Sequence, residues 1–242
     1  MNSTMPLLPE MQEIWHSTLQ WQPSVEQQNM LQKLYTAILA GNRHLNLTRI
    51  TEPEEFWEKH VWDSWVGIEP LGLTEAKVID IGSGAGFPGF PVAIFAPMTT
   101  VTLLDSTRKK MDFLADLVTQ LNLNNVTTVT GRAEAIGQQL AHRQVYDLAL
   151  VRAVGSASVC AEYALPLVNL NGQAVLYRGN WSEEESQNLV PVVKLLGGEI
   201  EEIKSFTTPI SKSIRHCIYL RKVAKTPAKF PRGVGIPKKQ PL

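Results

Sequence analysis

Cysteine is nearly absent: Cys160 and Cys217 are the only two in 242 residues. They stand far apart in apolar contexts, which argues against a disulfide framework or a metal site and for two core thiols. Long apolar runs are also missing, so no segment spans a bilayer. The opening residues carry neither a basic-then-apolar leader nor an arginine-rich transit pattern. A cytoplasmic protein without a membrane contact is expected, and Asn46-Leu47-Thr48 then carries no glycosylation meaning. No internal repeat or low-complexity stretch interrupts the chain, whose 44% hydrophobic content suits a soluble core that folds without staples. Acidic residues stop at Glu202, while ten of the 23 basic residues lie beyond it, so a formal net charge of zero hides a basic C-terminal end. Such an end reads as a phosphate contact or a solubilising tail.

What is present centres on residues 78–89, Val-Ile-Asp-Ile-Gly-Ser-Gly-Ala-Gly-Phe-Pro-Gly. Apolar positions with one acid among them predict a buried strand, and glycines at 82, 84 and 86 predict a turn where backbone lies close beneath a ligand. A dinucleotide fingerprint requires G-x-G-x-x-G, which this is not. With Asp80 it reads D-x-G-x-G-x-G, the loop that S-adenosylmethionine-dependent methyltransferases carry after their first strand. A second apolar strand, Val101–Leu104, ends in Asp105, 19 residues beyond Gly86. That is where such folds place the acid that accepts both ribose hydroxyls. The plain alternative, that Asp105 caps the next helix, stays open.

Taken in order, residues 1–9 read as a flexible arm. Helical spacing then predicts a subdomain over 10–70: a short helix to Leu19, and a helix capped by Ser24 and Gln27 that Gly41 ends. A further helix is capped by Thr51 and Glu54 and runs to about Gly67. From residue 71 to 222 strands alternate with helices. Predicted strands are 77–81, 100–104, 126–130, 146–151 and 172–178, with helices at 91–96, 107–121, 133–141, 156–168 and 182–196 between and after them. Two closing strands, 200–206 and 216–221, follow without a helix between them. This is an α/β, Rossmann-like sheet, mostly parallel with an antiparallel last strand. Residues 223–242 read as a basic C-terminal tail.

His60, Asp63 and Ser64 share one helix face. A hydrolase triad is a poor reading of them, since all three come from one helix and no nucleophile elbow is present. Packing against the next domain is the expected role. In a parallel sheet the ligand sits beyond the carboxyl ends of the strands. The residues that follow those ends are Gly131-Arg132-Ala133-Glu134, with the Ala133 amide and Glu134 placed to flank an adenine, then Arg152-Ala153, then Arg178-Gly179.

These residues as a set resemble the RsmG (GidB) family, the bacterial 16S ribosomal RNA guanine-N7 methyltransferases. The likeness covers most of the chain. It rests on Asn46-Leu47-Thr48, His60-x-x-Asp63-Ser64, the 80–89 loop with its Gly-Phe-Pro-Gly extension, and Leu104-Asp105-Ser106 with Lys109-Lys110 and Phe113-Leu114. Arg132-Ala133-Glu134, Asp147 with Arg152-Ala153, and Phe230-Pro231-Arg232-x-x-Gly235-x-Pro237 continue it. The resemblance implies that Gly82, Phe87, Ala133, Glu134 and Arg152 contact S-adenosylmethionine, with Asp105 the ribose acid; the glycine loop itself adds Gly84 to the cofactor candidates. It implies a 16S rRNA or small-subunit precursor substrate; a monomer is expected. Arg178 stands where the family usually has lysine, which keeps charge but not geometry.

Guanine N7 offers an in-plane lone pair and has no proton to lose, so its methylation needs alignment and desolvation rather than a general base. The chain accordingly lacks an Asn/Asp-Pro-Pro-Tyr/Phe element for amine methylation and a Pro-Cys element for pyrimidine C5 attack. Arg152, Arg178 and Ser64 are candidates to orient the base, and Lys109, Lys110, Arg232 and Lys238 to meet RNA phosphates. Other readings are a methyltransferase of protein or small molecules, a non-catalytic RNA-binding assembly protein, and a nicotinamide oxidoreductase, the last disfavoured by the glycine spacing.

Overall fold

A computed structural model describes residues 6–242. Of the arm expected at 1–9, residues 1–5 lie outside the described residues; Leu8 is buried, and its amide donates to Gln32 Oε1 at 2.7 Å.

Seven strands form one sheet in the order β3-β2-β1-β4-β5-β7-β6. They are β1 (Lys77–Ile81), β2 (Thr100–Asp105), β3 (Val126–Thr130), β4 (Tyr146–Arg152), β5 (Val168–Arg178), β6 (Gly198–Thr207) and β7 (Ile214–Lys222). β1 to β5 pair in parallel, and β7 inserts antiparallel between β5 and β6. The expected mostly parallel sheet with its closing antiparallel hairpin is therefore present. Its central strands are buried on both faces, as runs such as Leu148-Ala149-Leu150-Val151 require. The order reverses between β1 and β4, which opens a crevice at their carboxyl ends.

Before the sheet come α1 (Gln12–Leu19), α2 (Val25–Leu45), α3 (Pro53–Phe56), a π-helical turn (Trp57–Trp62) and α4 (Asp63–Val66). Ser24 and Gln27 form the expected reciprocal cap. Gly41 does not end α2, which continues to Leu45 and stops at Asn46 in the left-handed region. Instead Gly41 lets Phe113 approach: a Cβ there would overlap its ring. The Thr51–Glu54 cap also fails, because Pro53 takes the first helical position and Glu52 precedes it with no side-chain cap. Trp15, Trp21, Trp57, Trp65 and Phe95 interlock edge to face or tilted, with Trp15 and Trp57 centroids 5.0 Å apart. Each such pair adds about 1 kcal/mol beyond area burial. Residues 10–70 thus share one core with the sheet. Tyr177 and Tyr219 donate to the Ser64 and Gly67 carbonyls, and buried Glu58 accepts the Ile210 and Ser211 amides.

The remaining helices are α5 (Gly89–Phe95), α6 (Arg108–Gln120), α7 (Ala133–Ile136), α8 (Ala157–Ala164), α9 (Glu183–Leu195) and α10 (Ile236–Lys239). Ser182 and Glu185 cap α9 reciprocally, as expected. The helix expected over 133–141 ends after one turn, and the chain continues as turns to Gln144. Arg143 there donates to Gly137, Thr226, Pro227 and Phe230 carbonyls, which ties the C-terminal segment to α7. Residues 223–242 are therefore not a free tail.

Candidate active site

The 82–89 loop is braced at both ends by the acids read from the sequence. Gly82 and Ser83 amides donate to the Leu104 carbonyl at 2.7 and 3.1 Å. Asp105 Oδ2 accepts the Gly84 amide at 3.1 Å and Oδ1 the Thr107 amide at 2.8 Å. Asp80 Oδ2 accepts the Gly89 amide at 2.9 Å, while its Oδ1 has no partner. Burial pushes the Asp80 carboxyl up to about 7, against the Gly89 bond and the nearby Arg152 charge. Gly82 and Gly84 have φ of +74° and +58°, where a side chain is strained. A Cβ at Gly82 would also stand 2.6 Å from Val154. Among the described residues beyond its chain neighbours, a Cβ added at Gly84 would meet nothing within 4 Å but the Gly82 carbonyl, so the loop presents bare backbone to open space.

Two cavities meet along this loop, sharing Gly82, Asp105 and Ala153. The smaller, about 240 Å³, runs from Ile81 and Ser106 to Arg132, Ala133, Glu134 and Tyr163. It has the walls a nucleoside needs: Asp105, whose oxygens each keep a second lone pair, and the backbone of residues 131–134. Glu134 is 2% exposed, and its carboxylate accepts Arg132, the Tyr163 hydroxyl (3.0 Å) and the Gly235 amide (2.9 Å). Burial raises its pKa, but those bonds outweigh burial and leave it below its ordinary value. Glu134 is thus a hub that shapes the pocket.

The larger cavity, about 630 Å³, holds His60, Asp63, Phe87, Arg152 and Arg178. His60 stacks on Phe87 at 4.5 Å and 10°, and its Nε2 meets Thr48 Oγ1 at 2.8 Å. Burial, with Arg152 and Lys59 nearby, lowers His60 to about 3, so its ring is neutral. Arg152 donates to the Lys59 carbonyl and to Asp63 Oδ2, both at 3.0 Å. Asp63 Oδ1 lies 3.5 Å from Arg215 Nε. Arg178 donates to the Gly155 carbonyl at 2.7 Å. Lys59, Lys110, Arg152, Arg178 and Arg215 line this cavity against only Asp63 and Asp105, which favours a polyanion at its mouth.

His60 gives a pH prediction. Its folded pKa lies below the ordinary 6.5, so its contribution is full above that value and is lost as pH falls from 6.5 toward 3. His60→Gln is expected to lose that part of the acid dependence of urea midpoints. An unchanged slope over this window would contradict the assignment.

Several candidates read from the sequence change place. Ser64 is fully buried and donates to the His60 carbonyl, so it does not face the cleft and cannot orient a base. Arg232 is not free for RNA, because buried Glu162 binds it at 2.7 Å. Lys238 lines the smaller cavity, and of the Lys109-Lys110 pair only Lys110 lines either cavity. Asp147 lies at the opposite end of β4, accepting the Lys77 amide. Lys59 and Tyr163 were not anticipated, and Arg215 only as one of the charges of the basic C-terminal end. Looking just after each strand finds residues at the carboxyl edge of parallel strands only; β7 runs the other way, so its beginning reaches that edge, with His216 opposite Arg178. Among the described residues no cluster suits a metal ion, and no helix is long and apolar enough to cross a membrane.

The sheet order, glycine loop and crevice define a Rossmann-like class I methyltransferase fold. The structure of the antibiotic-resistance methyltransferase Kmr superposes with a TM-score of 0.51 over 63% of this chain and 89% of that one, at 15% identity. The family model for rRNA small subunit methyltransferase G (GidB) matches residues 27–218, and the chain belongs to this family. The ribosomal RNA small subunit methyltransferase G of Nostoc punctiforme is 61% identical over 98% of this chain and 99% of its own length. That of Trichodesmium erythraeum is 56% identical over 100% of this chain and 97% of its own.

Proposed function

We propose that this chain transfers the methyl group of S-adenosylmethionine to N7 of one guanosine in 16S ribosomal RNA. The observation that carries the reading is the pair of joined cavities: a smaller one walled by Asp105 and the 131–134 backbone, meeting a larger one lined by five cations. The cofactor's sulfonium supplies an electrophilic methyl group. The chain's own part is to bind, align and dry. Asp105 would accept the ribose hydroxyls, and the bare backbone at Gly82 and Gly84 would leave room for the cofactor against the loop. Phe87, held by its stack on His60, closes an apolar side of the larger cavity. Nothing there needs to act as a base, which suits N7: the large cavity's His60 is neutral, and Asp63 is occupied by two arginines.

Arg152 is proposed to orient the target base, with Asp63 and the Lys59 carbonyl fixing its guanidinium. Arg152→Ala is expected to lower kcat about 100-fold while S-adenosylhomocysteine affinity stays within about threefold, the pattern of a lost transition-state contact. Equal loss of both would make it a cofactor residue. The reading itself is tested by transfer of labelled methyl to undermethylated small-subunit particles and naked 16S rRNA, with products resolved as nucleosides. 7-Methylguanosine from at least one substrate is expected. Label in protein, or in any other nucleoside, would overturn it.

A further inference from the structure

The C-terminal segment looks, in sequence, like a solvated basic tail. Its anchoring is far denser than that role needs. Lys222 is buried with no carboxylate partner among the described residues, its ammonium donating to the Leu165 carbonyl and Thr226 Oγ1. Burial lowers it to about 7. Gln138 donates to the Ala228 and Pro231 carbonyls, and Phe230 and Pro237 are buried. Arg232 clasps Glu162 through its backbone amide, Nε and Nη2. Gly235, at φ +82°, turns the chain so that its amide reaches Glu134, in the wall of the smaller cavity. Three residues later Lys238 lies on the rim of that cavity.

We propose that this segment is a built part of the cofactor site, and that Lys238 is a cofactor-binding residue whose ammonium donates to a ring nitrogen of the adenine. The inference rests on the cofactor reading above. Among the described residues Lys238 has no ion pair within the chain, so its three donors are free for a ligand. Asp105 and Glu134, the carboxylates in the walls of this cavity, only accept hydrogen bonds and so cannot serve adenine's ring nitrogens, which need a donor. An ammonium only donates, so it complements ring nitrogens and not the exocyclic amine. The carboxylates of Asp105 and Glu134 in the same walls argue against a phosphate there. Lys239, next in sequence and exposed, does not line the cavity, so it is an internal control of equal charge.

The test is calorimetric titration of the full chain with S-adenosylhomocysteine. Lys238→Met is expected to weaken binding about tenfold, the scale of one charge-assisted bond, with Lys239→Met indistinguishable from wild type. S-adenosylmethionine should show the same penalty, because Lys238 is at the nucleoside end, away from the sulfonium. Affinity of Lys238→Met within about twofold of wild type overturns the inference. So does a variant that keeps cofactor affinity but lowers the salt slope of RNA binding, which makes Lys238 a phosphate contact. A wild-type chain that binds neither compound would instead sink the cofactor reading itself.

Discussion

Gly86→Ala is expected to yield a protein that no longer binds S-adenosylhomocysteine and melts well below wild type. Gly86 sits at φ +93°, and a Cβ there would overlap the Phe90 ring. Phe90 is fully buried in α5, so it cannot swing aside. Left-handed strain and overpacking together cost about 2–5 kcal/mol, which in a domain of this size lowers Tm by about 10 °C. The loop has one other way to relax, by moving the Gly82–Gly84 backbone, and that would destroy the surface proposed to cradle the cofactor. Calorimetric melting and ligand titration read the two effects separately. A variant with wild-type affinity would show that the loop is not the cradle.

Arg232→Ala produces the second large effect. Glu162 is fully buried, and among the described residues Arg232 supplies all of its side-chain hydrogen bonds. Removing one partner of such a pair costs about 3–5 kcal/mol, because the remaining buried charge keeps only the residue-232 backbone amide as compensation. Urea denaturation should show this loss, and limited proteolysis should cut the variant after residue 225 before the body is touched. Replacing both partners, Arg232→Met with Glu162→Leu, should recover most of the stability, since a buried ion pair adds little over apolar packing. If Arg232→Ala were as stable as wild type and lost only RNA affinity, the phosphate contact expected from the basic C-terminal end would stand and the clasp would be incidental.

Most of the sheet could be read from the chain because its signals are local. Apolar runs bounded by glycine or acid placed β1 and β3 at their observed ends, and reciprocal Ser/Gln and Ser/Glu caps started α2 and α9. The glycine loop and Asp105 were legible for the same reason: the backbone there dictates residue type. What was not legible depends on long-range partners. Gly41 reads as a helix end until Phe113, far along the chain, is seen to need its missing side chain. Arg232 reads as free charge until Glu162 is found beneath it, and Lys238 as tail until Gly235 is bonded to Glu134. Ser64 shares a helix face with His60 and Asp63, but its hydroxyl turns back to the helix's own carbonyl, as serine within a helix often does.

Guanine-N7 transfer is tested most directly by mapping 7-methylguanosine in 16S rRNA from cells that lack this protein, using chain cleavage specific to N7-methylated guanosine. One cleavage signal is expected to disappear on deletion, to return with the wild-type chain, and not to return with Arg152→Ala or Gly86→Ala. An unchanged cleavage pattern in the deleted cells would contradict it.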